Sequence, residues 1–106
     1  MTNDECIEVA EKVWGWESLE EYDKWGSPGD DVPIGMHWSI DAIEREIESW
    51  SGFGRTVEAM AGKDQYQFAV DTRVLLEAFI VGAIPKEELW ERTHLAALEA
   101  IKNNSK

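Results

Sequence analysis

The sequence predicts an α+β domain in which a small antiparallel sheet packs between or against three helices, an αβα-type sandwich. Three observations lead there. Apolar residues recur at helical spacing near both ends and in the middle, they alternate in a short segment between, and 106 residues are enough for one core but not two. Residues 1–106 therefore form one domain. An apolar fraction of 43%, with six tryptophans, two tyrosines and three phenylalanines, supplies the core despite a net charge of −12.

The first helix runs from Asp4 to Trp14, with Cys6, Ile7, Val9, Ala10, Val13 and Trp14 on its apolar side. Gly15 stands where a left-handed residue stops a helix, so Trp16 is expected to turn back onto the helix end. Residues 17–37 contain the turn formers Gly26-Ser27-Pro28-Gly29-Asp30-Asp31 and are expected to form a long acidic loop. Ser39 or Asp41 can cap a second helix reaching about Trp50, with Ile40, Ile43, Ile47 and Trp50 as its stripe and Asp41-x-x-Glu44 resembling a capping box.

Ser51-Gly52-Phe53-Gly54 is read as the end of that helix. Arg55–Ala61 and Gln65–Asp71 are then read as the arms of a hairpin about Gly62-Lys63-Asp64, because Tyr66, Phe68 and Val70 alternate with Gln65, Gln67 and Ala69. Thr72–Ala83 has the apolar content of a buried strand and many helix formers; strand is the expectation. Pro85 suits the first turn of a closing helix whose stripe is Trp90, His94, Ala97, Leu98 and Ile101. A polar tail, residues 103–106, frays at its end.

Charge and composition narrow the function classes. Residues 1–50 carry 14 Asp or Glu against 3 Lys or Arg, whereas residues 51–106 carry 8 against 7. The acidic half repels phosphates, so direct nucleic-acid binding is not expected and its partner should be a basic or nucleic-acid-binding protein. No run approaches the roughly 18 apolar residues of a membrane span. The acidic start Met1-Thr2-Asn3-Asp4-Glu5 is unlike a secretory signal, and one cysteine forms no internal disulfide, so a cytoplasmic location is expected.

No nucleophile–base pattern, metal spacing or phosphate cradle is present in the sequence, so no catalytic residue, metal ligand or cofactor is assigned. His37 and His94 are each better read as hydrogen-bonded structural residues than as catalysts. The paired acids, among them Glu20-Glu21 and Glu87-Glu88, read as solvated faces. Trp14, Trp50 and Trp90 fall on helix stripes and belong to the core, while Trp16, Trp25 and Trp38 lie at element ends or in the acidic loop, where core packing is favoured over exposure as interface anchors.

The run Val9-Ala10-Glu11-Lys12-Val13-Trp14-Gly15-Trp16 resembles the opening of a family of small bacteriophage proteins, the phage ABA-sandwich domain. Trp38–Ile43 is similar to the start of its middle helix, Arg55–Asp71 to its sheet, and Leu95–Ile101 to its closing helix. The chain departs from that pattern between Thr72 and Glu88. The resemblance implies a phage or prophage origin, hence a bacterial host cytoplasm, and an αβα arrangement; it brings no catalytic residue.

The resulting expectation is a phage-encoded accessory protein that acts by protein binding, in its most concrete form an anti-CRISPR-like, nucleic-acid-mimicking inhibitor of a host defence system. The contact residues expected are Glu17, Glu20, Glu21, Asp23, Asp30 and Asp31, with Trp25 as anchor. One alternative is a self-associating structural domain joined through Thr72–Ala83 as a homodimer. Another is a small-molecule binder or small enzyme built around His37.

Overall fold

A computed structural model of the chain describes residues 1–19, 24–26, 38–63 and 65–104. Thr2 opens helix α1 (Asn3–Glu8) with a full capping box: its Oγ1 accepts from the Glu5 N–H, and its own N–H donates to Glu5 Oε1 at 2.8 Å. The helix widens into a π turn (Val9–Val13), in which the Trp14 N–H reaches back five residues to the Val9 carbonyl. Gly15 takes φ +76° and the Trp16 N–H closes on the Ala10 carbonyl at 2.9 Å. Trp16 thus folds back as the glycine predicts, and its ring lies 5.0 Å from that of Trp14.

The sheet lies where the sequence suggested only a loop. Strands β1 (Glu17–Leu19), β2 (Lys24–Gly26) and β3 (Trp38–Ser39) pair antiparallel in the order β1-β2-β3, with Ser18 opposite Trp25 and Trp25 opposite Trp38. Trp16 and Trp25 are buried, and Trp38 packs at 5.2 Å on Trp16, so burial of indole rings holds these very short strands to the helices. Of the 17–37 loop, residues 20–23 and 27–37 lie outside the described residues.

Helix α2 (Ile40–Ile47) starts at Ser39, whose Oγ accepts from the Ala42 N–H. Of the two caps considered, Ser39 serves; Asp41 sits inside the first turn. The helix stops at Ile47, three residues short of Trp50, because a second serine cap intervenes. Ser49 Oγ accepts from the Gly52 N–H and begins α3 (Trp50–Ala61).

Gly52 and Gly54 therefore lie within a helix and do not end one. At Gly52 a Cβ would overlap the Glu46 carbonyl, so glycine is required for the close approach of α3 to the end of α2. The hairpin and the 72–83 strand are corrected as well: α3 continues to Ala61, and α4 spans Tyr66–Ile80. The alternation of Tyr66, Phe68 and Val70 is overridden by a helical stripe of Phe68, Thr72, Leu75 and Phe79, and Tyr66 is left exposed.

Helix α5 (Lys86–Asn104) follows Pro85 as expected and packs against α4, α3 and the π turn. Its His94, Ala97 and Leu98 join Val9, Ala10, Val13, Ile43 and Ile47 in the interior. Among the described residues the architecture is α+β, with five α-helices in place of the three expected and a three-stranded antiparallel sheet. Among the described residues no helix is long and apolar enough to cross a membrane.

The two α3 glycines make opposite predictions. Gly52→Ala should destabilise the domain by about 2 kcal/mol or more through steric overlap. A Cβ at Gly54 meets nothing within 4 Å, so Gly54→Ala should stabilise by about 0.5–1 kcal/mol through helix propensity. Urea titration of both variants checks the pair.

Candidate functional site

Two polar features stand out, one sealed in the core and one open at the surface. The sealed one begins with the Trp14 indole N–H, which donates to Thr56 Oγ1 at 2.9 Å. Thr56 Oγ1 lies 2.8 Å from His94 Nδ1, and His94 Nε2 lies 3.0 Å from the Ile47 carbonyl. A carbonyl can only accept, so Nε2 carries the proton; in the neutral ring Nδ1 is then bare and accepts the Thr56 hydroxyl proton.

Each link joins a different segment: the end of the π turn, α3, α5 and the end of α2. The Ile47 carbonyl belongs to the last turn of α2, where helical partners run out, and His94 supplies the missing donor. His94 and Thr56 are both 0% exposed. Burial disfavours the imidazolium and pushes the His94 pKa down to about 4, partly opposed by the bond to Ile47. Both ring nitrogens are engaged and no solvent reaches them, so His94 is the structural histidine that its place on the stripe predicts.

The open feature is an acidic cleft of about 280 Å³ between α1, α2 and the start of α5. Glu44 and Glu48 enter it from α2, and Glu87 and Glu91 from α5. Each pair is spaced i, i+4, which puts both carboxylates on one helix face. The terminal ammonium of Met1 lies 3.5 Å from Glu91 Oε1. Cys6 lines the cleft but is 4% exposed, and burial followed by the negative charge of Glu44 and Glu48 pushes its thiol up to about 11. It is a core residue rather than a nucleophile.

Trp90 also lines this cleft, and Trp50 packs edge-on against it at 5.4 Å. Trp50 is 47% exposed, so it is an aromatic at the surface rather than the core residue the stripe implied. Trp25, named as the contact anchor although core packing is the favoured reading for it, is 8% exposed, and its Nε1 donates to Glu11 Oε2 at 3.1 Å. Trp50 thus lies at the surface and Trp25 in the interior. The reason is that β2 carries Trp25 onto the π turn, while the break at Ser49 rotates Trp50 away from the α2 stripe.

Of the other expected contact residues, Glu17 is exposed on β1, and Glu20, Glu21, Asp23, Asp30 and Asp31 lie outside the described residues, as does His37. The structure brings Glu44, Glu48, Glu87 and Glu91 together instead. The sequence reading takes Glu87, with Glu88, as part of a solvated face and Glu44 as part of a capping box, and assigns nothing to Glu48 or Glu91. The overlooked signal was two i, i+4 glutamate pairs with no lysine or arginine four residues away to neutralise them on the same face. Among the described residues no group of His, Cys, Asp and Glu is arranged to hold a metal ion.

Arg55 forms a third, smaller feature. Its guanidinium stacks over Trp16 at 5.5 Å and Trp38 at 5.6 Å and lies 3.6 Å from Glu46 Oε2. This clamps the sheet to α3.

Two measurements check the buried chain. Thr56→Val removes the central hydroxyl while keeping its shape, leaves the Trp14 N–H and His94 Nδ1 unpaired, and should cost about 1–3 kcal/mol; Thr56→Ser should recover most of it. The second is a pH dependence. Between about pH 6.5 and about pH 4 the unfolded chain binds a proton at His94 that the folded chain refuses. Stability is therefore complete above about 6.5 and falls as the pH drops to about 4, by about 3 kcal/mol. In His94→Gln, which cannot titrate there, the loss of stability between pH 7 and pH 4 should be smaller by that amount.

Comparison of the chain with models of known protein families, with curated proteins and with solved structures finds no match.

Proposed function

We propose that this chain is a non-enzymatic accessory protein that binds a basic or nucleic-acid-binding protein through its acidic surface. The observation that carries the reading is the cleft, where four glutamates from two helices converge beside the exposed ring of Trp50. A convergent set of carboxylates attracts Lys and Arg side chains at long range, and an aromatic at its edge supplies apolar contact once they arrive. The same charge arrangement can occupy a groove built for phosphates, since the long-range field does not distinguish carboxylate from phosphate.

The N-terminal resemblance supplies the setting: a phage or prophage protein acting in a bacterial cytoplasm, its sheet and flanking helices forming αβα layers. In that setting the concrete form of the proposal is inhibition of a host defence nuclease by occupation of its nucleic-acid groove.

The test uses tagged wild type and a variant carrying Glu44→Gln, Glu48→Gln, Glu87→Gln and Glu91→Gln, whose helix content is checked first by circular dichroism. Each is incubated with bacterial host lysate in low and high salt. The proposal expects a nuclease or other nucleic-acid-binding protein retained by the wild type, lost by the variant, and released by salt or by competing DNA. Retention of the same protein by the variant, or resistance to competing DNA, contradicts it.

A further inference from the structure

Helix α4 has a second face that its own fold does not use. It packs onto α5 through the stripe containing Phe68 and Thr72, yet on the side turned away from α5 the helix runs Tyr66, Val70, Arg73, Glu77 and Ile80. These positions are spaced 4-3-4-3, the spacing of a seam between two helices. Five large apolar side chains are exposed among the described residues, and four of them, Tyr66 (80%), Val74 (58%), Ile80 (76%) and Val81 (78%), lie on α4 or directly after it. Such concentration on one element, rather than scatter, marks a surface that is covered in use.

The charges on the stripe indicate what covers it. Arg73 and Glu77 stand at its centre, both exposed, with Nε and Oε1 3.3 Å apart. If a second α4 is laid antiparallel about a two-fold axis midway between them, Arg73 faces Glu77 of the other copy, and so does its symmetry mate. The same axis sets Val70 opposite Ile80. A parallel arrangement would set Arg73 against Arg73 and Glu77 against Glu77, which is repulsive.

Net charge points the same way. Two chains of −12 repel one another, but residues 65–85 contain only Asp71, Glu77 and Arg73 as charged groups. This is a nearly neutral face through which two copies can approach. We propose that the chain forms a two-fold homodimer through antiparallel packing of α4 on α4, with Arg73 of each copy beside Glu77 of the other. The acidic clefts are built from α1, α2 and α5, so the dimer stands or falls independently of what they bind.

Sedimentation equilibrium over a concentration series tests the proposal. The wild type should approach twice the chain mass of 12.1 kDa. Arg73→Glu alone and Glu77→Arg alone each set like charges in register and should weaken association by tenfold or more. An equimolar mixture of those two variants restores opposite charges across the seam and should form a heterodimer, and the double reversal Arg73→Glu with Glu77→Arg should dimerise as the wild type does. A wild type that stays at 12.1 kDa at every concentration overturns the proposal and leaves the stripe to a helix of another protein. Single variants that dimerise normally, or a mixture that does not associate, also overturn it.

Discussion

The fold depends on one chain of hydrogen bonds that runs through its centre, from the Trp14 indole through Thr56 and His94 to the Ile47 carbonyl. Buried polar groups are costly when unpaired and hold geometry firmly when every member is satisfied. Each link here depends on a local backbone feature. The π turn and Gly15 place Trp14 and Trp16 together at the end of the first helix, and Gly52 lets α3 approach the end of α2 closely. The early end of α2 at Ile47 frees the carbonyl that His94 needs. Four helical segments are thereby fixed relative to one another by directional contacts as well as by apolar burial.

Once those segments are fixed, the surface divides by charge. Fixing α2 against α5 brings Glu44 and Glu48 to face Glu87 and Glu91, so the geometry of the acidic cleft follows from the core beneath it. Arg55 is taken up by Trp16, Trp38 and Glu46. The remaining apolar surface gathers on α4, which touches the body mainly through α5 and carries little net charge. An acidic face and a nearly neutral face coexist on one small domain because the exposed side of α4 is turned away from α5, whose start lines the cleft.

Elements set by local chemistry were legible in the sequence. The first helix with its glycine stop, the Ser39 cap, the Pro85-led closing helix and the structural role of His94 all follow from signals within a few residues of each site. Positions decided by tertiary contact were misread. Gly52 and Gly54 look like a helix stop unless one knows that the Glu46 carbonyl passes where a Cβ would be. Tyr66, Phe68 and Val70 alternate like a strand, and only burial of Phe68, Thr72, Leu75 and Phe79 against the body selects the helix. The short strands hold by indole burial, which no periodicity announces. The cleft escaped notice for the same reason: its two glutamate pairs are far apart in sequence and meet only because the core sets α2 against α5.

Nitrogen-resolved NMR of the His94 imidazole, followed from neutral pH downward, tests the central claim most directly. The buried chain predicts a proton on Nε2, a bare Nδ1, and a ring that stays neutral until the pH approaches about 4. It also predicts a Trp14 indole proton slow to exchange with solvent, because Thr56 holds it. A His94 ring that carries its proton on Nδ1, or that titrates near its ordinary value of about 6.5, would contradict the account, because Nε2 would then not be donating to the Ile47 carbonyl in a closed core.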